Sequence, residues 1–263
     1  MEKLSISSLA PDIEVEEKVE LPETNSFLNQ EKNIQEVFKL NPELREIALK
    51  SSGISDGTLS IEKQNQEAVK KYAEYLETIF PESRVKEIVW HGTNGDWYKT
   101  DNFNLELSGT GSGNNSNTEG IYFIKYPSAA KGFGDKKTIF PAIIDIKNPN
   151  IVGLSKFNQT WFNKEEYLKL KTGDGIIAEQ EKTPEEYYDE ALAKYEEGLD
   201  RYQKMENPTV WDYKILNKPK SPEDFHEEQL STTYVVFRPE QIHILGSQSD
   251  SERFKEFVDK VES

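Results

Sequence analysis

The sequence predicts an α+β fold with a mainly antiparallel sheet. Short apolar segments that favour strands begin near residues 85, 121, 138, 176 and 231. Loops and only a few helical segments separate them, unlike the regular strand–helix alternation that builds a parallel sheet. The chain has 263 residues, of which 35% are hydrophobic, enough to bury one core of ordinary size. We therefore expect one folded domain with polar extensions.

The first third of the chain is predicted to be an acidic tail followed by helices. Residues 1–28 contain little apolar material and a surplus of glutamate, which predicts a disordered tail. Helical periodicity runs through residues 29–83 and is longest from Ser60 to Phe80. Pro81 ends that helix, and Val85 to Trp90 has the composition of a strand.

The middle of the chain combines a glycine-rich stretch with two predicted strands. Glycine, asparagine and serine are frequent from Thr100 to Gly120, which predicts a mobile loop. Ile121 to Ile124 is predicted to be a short strand, and Pro127 to Lys131 a helical turn. The apolar run from Thr138 to Ile146 contains Pro141, which predicts a strand at an edge or bulge of the sheet.

The last third is predicted to contain two strands and two helices. The glycines at 173 and 175 indicate a turn before a short buried strand, Ile176 to Ala178. Apolar residues at helical spacing predict a helix of about five turns from Pro184 to Met205. Tyr234 to Phe237 has the composition of a strand, and Asp250 to Val261 that of a final helix.

Composition excludes several classes of function. The sequence contains no cysteine, which excludes disulfides, thiolate catalysis and cysteine-bound zinc. His91, His226 and His243 lack metal-ligand spacing, so no metal is expected, and the last two are predicted to be surface or cap residues. The net charge of -16 disfavours nucleic acid and anionic membranes as partners. Because neither a membrane span nor a signal peptide is visible, we expect a soluble protein that is not secreted by that route.

Three local patterns suggest chemistry, and each also has a purely structural interpretation. A histidine followed by Gly92 and Thr93 at a strand end could bind a hydroxyl, or could be a turn. Tyr122 and Phe133 could face each other across a slot for a flat heterocycle, or could both be core residues. Thr233 begins a strand, which places it on the face opposite Tyr234.

The order and spacing of these patterns resemble ADP-ribosyltransferases of the branch that includes diphtheria toxin and the poly(ADP-ribose) polymerases. They are most similar to the ADP-ribosyltransferase-like domains of phage and mobile-element polyvalent proteins. The motifs are Val89-Trp90-His91-Gly92-Thr93; Gly120-Ile121-Tyr122-Phe123 with Ala130 and Phe133-Gly134; Gly173-Asp174-Gly175-Ile176-Ile177; and Thr233-Tyr234-Val235-Val236-Phe237 with Gln241-Ile242. The resemblance covers residues 84–178 and 229–247, and leaves 179–228 as an acidic helical insertion and 248–263 as a carboxyl-terminal helix.

The resemblance implies a split, mainly antiparallel sheet with NAD bound as a substrate in the cleft between its halves. His91 would hydrogen-bond the adenosine ribose, and the Gly92 main chain would hold the nicotinamide carboxamide, with Thr93 beside it. Tyr122 and Phe133 would enclose the nicotinamide ring. The loop between residues 100 and 120 would lie over the donor. His91, Tyr122 and Thr233 are the expected catalytic residues.

Two positions depart from the pattern of the family. Thr233 matches the position at which relatives usually have a glutamate, and its hydroxyl can hold the ribose but brings no negative charge. Glu228, Glu240 and Asp174 are the neighbouring carboxylates weighed as substitutes, and the acceptor itself could also supply one. Ala130 stands where many relatives have a serine that binds the carboxamide, and Ser128 is the nearest hydroxyl for that role.

The resemblance predicts a mono-ADP-ribosyltransferase that moves ADP-ribose from NAD to a protein acceptor, in the cytoplasm of a bacterial host if the chain is phage-encoded. A catalytically impaired module that binds NAD or ADP-ribose, an NAD glycohydrolase and a purely structural protein remain alternatives. Most of the negative charge lies in the tail and the insertion, which would favour a basic protein partner.

Overall fold

The computed structural model describes residues 26–53, 59–93, 119–131, 138–160, 163–205 and 231–261. Nearly all of the predicted acidic tail and glycine-rich loop, as well as Phe133, His226 and Glu228, lie outside these ranges. The helices are α1 (Glu31–Leu40), α2 (Pro42–Ser51), α3 (Ile61–Ile79), α4 (Pro127–Ala130), α5 (Leu154–Gln159), α6 (Lys164–Leu170), α7 (Pro184–Gln203) and α8 (Gln248–Val261). The strands are β1 (Val89–Thr93), β2 (Ile121–Ile124), β3 (Thr138–Ile144), β4 (Pro149–Gly153), β5 (Gly175–Glu179), β6 (Thr233–Val236) and β7 (Ile242–Ile244).

The seven strands form one mixed sheet in the order β4-β5-β6-β2-β1-β3-β7. Every neighbouring pair is antiparallel except β4 and β5. A parallel pair needs a crossover connection, and α5 and α6 lie in the segment that provides it. The predicted α+β class with a mainly antiparallel sheet is therefore confirmed.

The sheet is continuous across most neighbouring strands but narrow between β1 and β2. β1 pairs with β3 along its whole length, and β2 pairs with β6 along its whole length. Among the described residues, β1 and β2 share the single pair Trp90 and Ile124. One bridge therefore joins a group of four strands (β4, β5, β6, β2) to a group of three (β1, β3, β7).

Strand β1 begins later than its composition predicts. Val85 lies outside the sheet because its N–H is bound by Ser83 Oγ at 3.2 Å, and the N–H of Arg84 by the carbonyl of Ile146 at 2.7 Å. These bonds direct the chain away from the β3 ladder until Val89. The strand instead extends through Thr93, so the predicted segment from Val85 to Trp90 was wrong at both ends.

The prediction that Pro141 marks an edge or a bulge was wrong. β3 lies between β1 and β7, and Pro141 pairs in regular register with Trp90. The carbonyl of Pro141 accepts a hydrogen bond from the N–H of Leu245, so this residue faces β7 at the place where β7 ends. A residue without an N–H is tolerated there because the ladder does not continue past it.

A layer of helices covers the β1–β3–β7 side of the sheet. α1, α2, α3 and α8 bury a common cluster that includes Ile34, Leu44, Tyr72 and Phe254. Trp90, Ala130, Ile143 and Leu245 reach the same cluster from the sheet and its connections. The helical region and this part of the sheet therefore share one hydrophobic core.

A buried carboxylate joins three parts of this layer. Asp250 of α8 is fully buried and accepts hydrogen bonds from the hydroxyls of Tyr72 (2.6 Å) and Tyr75 (3.1 Å) of α3. His243 Nε2 of β7 and the N–H of Gly246 approach the same carboxylate at 2.8 Å each. Four donors thus compensate for the burial of one charge. The prediction that His243 is a surface or cap residue was wrong, because its partner lies on the following helix.

We expect Asp250→Asn to lower the free energy of unfolding by about 3 kcal/mol, because an amide cannot accept all four hydrogen bonds and leaves buried donors unpaired. Urea denaturation followed by circular dichroism measures this change. Asp259→Asn on an exposed position of α8 is the matched control and should change stability by less than about 0.5 kcal/mol. Equal stability of the two variants would contradict the assigned role of Asp250.

Candidate active site

A hydrogen bond from a side chain crosses the gap where β1 and β2 separate. His91 Nδ1 lies 2.6 Å from the main-chain oxygen of Tyr122. If the register of the Trp90–Ile124 pair continued, Tyr122 would lie opposite Gly92. The main-chain oxygen of Tyr122 is therefore hydrogen-bonded by the side chain of His91. This bond links the two groups of strands in addition to the pair formed by Trp90 and Ile124.

The surroundings of His91 determine its protonation state. Its ring is half-buried between Phe123 and Phe140, with ring centroids 5.4 and 5.1 Å away. Removal from water lowers the pKa of His91 to about 4, although the hydrogen bond to Tyr122 acts in the opposite direction. Because a carbonyl can only accept, we assign the proton of the neutral ring to Nδ1. Nε2 is then the acceptor nitrogen, suited to a hydroxyl group.

Gly92 and Thr93 continue β1 beyond His91. Gly92 is half-buried and pairs with Ile139, and Thr93 is buried at the end of the strand. Without a side chain at Gly92, a ligand can approach the main chain of β1 closely. The predicted contacts of Gly92 and Thr93 with a nicotinamide group remain predictions.

Tyr122 is held on the other side of the gap. It is half-buried in β2, opposite Val235 of β6, and its ring lies 6.3 Å from that of Phe157 in α5. Its hydroxyl donates to the hydroxyl of Tyr167 in α6 at 3.5 Å. The predicted partner of the ring, Phe133, lies outside the described residues, so the predicted aromatic pair stays a prediction.

Glycine is required directly before β2. Gly120 has a φ of +138°, a conformation that L side chains rarely adopt. A Cβ atom there would collide with Val235 Cγ1 and lie 3.3 Å from the carbonyl oxygen of Val236. The chain can therefore pass close to β6 only with glycine at this position. This close approach fixes the position of the backbone that leads to Tyr122.

Thr233 lies on the same face of the sheet as Tyr122. It is half-buried at the start of β6 and pairs with Ile124 of β2 and Ala178 of β5. Thr233 pairs with Ile124, which is two residues beyond Tyr122 on the same face. Thr233 and Tyr122 are therefore diagonal neighbours, with Cα atoms roughly 7–8 Å apart. The structure thus places Gly92, Tyr122 and Thr233 at adjacent strands around the gap that His91 crosses.

The carboxylates weighed as substitutes for a glutamate do not approach Thr233 where they can be placed. Asp174 accepts hydrogen bonds from the N–H groups of Lys147 and Asn148 at 2.9 Å each, so it stabilises a turn. Glu240 is exposed in the 3₁₀ turn after Pro239. Glu228 lies outside the described residues.

Buried polar groups on α4, on β1 and in the segment before β6 lack a hydrogen-bond partner within the part of the chain that the structure describes. They are Ser128 Oγ of α4, Ser231 Oγ and the indole nitrogen of Trp90. Ser231 precedes Thr233 by two residues and therefore faces the same side of the strand. Unpaired buried groups are uncommon and often mark functional sites. Ser128 was predicted from the sequence, whereas Ser231 was not. Only the two-residue spacing between Ser231 and Thr233 could have indicated it.

The described ranges contain neither a cluster of metal ligands nor a membrane-spanning helix. No group of three or more acidic or histidine side chains there is arranged to hold a metal ion. Nor does any described helix combine the length and apolar character needed to cross a membrane.

The chain matches a known protein family. A family model described as "ADP-Ribosyltransferase in polyvalent proteins" matches residues 86–250, more than half of the chain. No curated protein and no solved structure matches this chain.

We expect His91 to be neutral, with its proton on Nδ1, at pH 7 and to become protonated only near pH 4. Long-range ¹H–¹⁵N NMR of histidine-labelled protein reports both the tautomer and the pKa. The urea-unfolded chain is the control, because its histidines should have a pKa of about 6.5. Since the unfolded chain takes up this proton first, His91 should lower stability as pH falls from about 6.5 towards 4. Titration of folded His91 near 6.5 would contradict the assignment.

Proposed function

The chain belongs to the family of ADP-ribosyltransferases in polyvalent proteins, and we propose that it is a mono-ADP-ribosyltransferase that transfers ADP-ribose from NAD to a protein acceptor. The observation that carries this proposal is the neutral His91, held by the carbonyl of Tyr122 at the gap between β1 and β2. This arrangement brings a hydrogen-bond acceptor, a strand segment without a side chain and an aromatic ring to neighbouring positions of β1 and β2.

Each of these groups suits one part of NAD. His91 Nε2 would accept a hydrogen bond from a hydroxyl of the adenosine ribose. The main chain of Gly92 would bind the nicotinamide carboxamide, with Thr93 beside it and the unpaired hydroxyl of Ser128 as a further candidate. Tyr122 would stack on the nicotinamide ring, and Phe133 would cover its other face.

The proposed reaction breaks the bond between C1′ of the nicotinamide ribose and the ring nitrogen. Both electrons of this bond go to nicotinamide, whose pyridinium ring becomes neutral, while C1′ gains positive character. A lone pair of the acceptor side chain forms the new bond at C1′, and an acceptor that carries a proton loses it to solvent. The protein must therefore orient the two reactants and stabilise positive charge at the ribose.

Thr233 would hold the nicotinamide ribose without supplying charge. Its hydroxyl can donate to and accept from ribose hydroxyls, but it is neutral, unlike the glutamate usual at this position. The same neutrality argues against chain extension to poly(ADP-ribose). A carboxylate of the acceptor would then serve both as nucleophile and as the missing negative charge.

A second candidate function is a module that binds NAD or ADP-ribose without transferring it. The observation that favours it is that Asp174 and Glu240, the two weighed carboxylates that the structure describes, are placed away from Thr233. Hydrolysis of NAD, with water as the acceptor, is the third possibility that the same site allows.

Incubation with labelled NAD and a cell lysate tests the proposal. We expect label on protein with the wild-type chain and none with Tyr122→Ala, because the variant removes the surface on which nicotinamide stacks. Phe257→Ala is the matched control, since it also truncates a half-buried aromatic residue but lies in α8, away from the site. NAD binding without transfer would support the binding module instead, free ADP-ribose would support hydrolysis, and failure to bind NAD would reject all three.

Thr233→Glu should increase NAD turnover, on the order of 10²-fold, because a carboxylate at this position would stabilise positive charge at the ribose. Release of nicotinamide, followed by chromatography, measures the rate. Thr232→Glu places the same charge one residue earlier, on the opposite face of the strand, and should bring no increase. Unchanged turnover in a folded Thr233→Glu protein that binds NAD would contradict the placement of this residue at the ribose.

A further inference from the structure

A second tyrosine lies directly behind Tyr122. Tyr167 belongs to α6, in the connection between β4 and β5, and only 1% of its surface is exposed. It packs in a cluster with Phe157, Leu170 and Val235, against which Tyr122 rests. Its ring is buried like that of an ordinary core residue. Its hydroxyl, however, points towards the segment that leads into β2.

The hydroxyl of Tyr167 connects two parts of that segment. It donates to the main-chain oxygen of Glu119 and accepts from the hydroxyl of Tyr122 at 3.5 Å. A hydroxyl has a single proton, so the bond to Glu119 leaves Tyr167 only the role of acceptor towards Tyr122. Burial raises the pKa of Tyr167 above its ordinary value, which keeps this proton in place.

Two further contacts bring α6 against the same segment. A Cβ atom on Gly120 would lie only 3.5 Å from the hydroxyl oxygen of Tyr167, so the two approach closely. Lys171 directly follows α6, and its Nζ lies 2.8 Å from Glu119 Oε2 and 5.1 Å from the ring centre of Phe237. α6 thus contacts the three positions Glu119, Gly120 and Tyr122.

We infer that Tyr167 is a positioning residue for the recognition of nicotinamide: its hydroxyl fixes the orientation of the Tyr122 ring relative to the start of β2. This inference rests on the proposed function, in which the Tyr122 ring stacks on nicotinamide. The opposite interpretation is that Tyr167 only fills the core beneath α6. The two differ in whether the loss of one hydroxyl changes the binding of the nicotinamide part of NAD.

Tyr167→Phe separates them because it removes the hydroxyl and keeps the buried ring. We expect the Kd for NAD, measured by calorimetry, to rise about 2- to 10-fold, the effect of one lost hydrogen bond. The Kd for ADP-ribose, which has no nicotinamide, should stay unchanged. A loss of affinity that is equal for both ligands would overturn the inference, because it would indicate general damage to the site.

A double-variant cycle with Tyr122→Phe tests whether Tyr167 acts through Tyr122. Tyr167→Phe should weaken NAD binding more in the wild-type background than when Tyr122 already lacks its hydroxyl, because only the bond to Glu119 then remains to be lost. Equal effects in both backgrounds would overturn the inference. Tyr75→Phe is the matched control: it also removes a buried hydroxyl hydrogen bond, to Asp250, and should lower stability without changing the affinity for NAD.

The outcome for the wild-type chain distinguishes this inference from the proposed function. A wild-type chain that does not bind NAD overturns both. A wild-type chain that binds NAD, together with a Tyr167→Phe variant of unchanged affinity, overturns only the role of Tyr167.

Discussion

The hydrogen bond between His91 Nδ1 and the carbonyl of Tyr122 is the interaction on which the candidate site depends. It crosses the sheet where β1 and β2 share one pair among the described residues. The bond satisfies a main-chain acceptor whose loss would cost about as much as one hydrogen bond. The same bond fixes the tautomer of the imidazole and so leaves Nε2 as the nitrogen that can accept a hydrogen bond.

Different helices support the two ends of this bond. On the β1 side, the helical layer contacts Trp90, and the carboxylate of Asp250 joins α3, β7 and α8. On the β2 side, α5 and α6 pack on the four-strand group and support Tyr122. A third cluster spans both groups of strands: Val89 and Phe140 of the three-strand group pack in it with Phe123 and Tyr234 of the four-strand group. The spacing between the two groups therefore depends on packing across the sheet as well as on the helices.

How well the sequence predicted the structure depended on how local each signal was. α3 and α7 were predicted because their apolar spacing repeats over several turns, and β5 and β6 because they are short apolar runs bounded by turn residues. β4, with the sequence PNIVG, has only two strongly apolar residues and was missed, as was β7, which has three residues. The burial of His243 depends on Asp250 and on two tyrosines 168 or more residues away, which no local pattern reveals. At the site, the motif order led to His91, Tyr122 and Thr233, whereas Tyr167 carries no motif and was found only through its contacts.

Tyr122 contributes to the site through two chemically independent groups. Its ring is proposed to stack on nicotinamide, while its main-chain carbonyl accepts the hydrogen bond of His91. Every amino acid at this position would supply the carbonyl, so exchange of the ring does not by itself remove the anchor of the imidazole. Substitution of the ring would therefore change the aromatic surface proposed for the base of the donor, while the position of the imidazole proposed to bind ribose would stay the same.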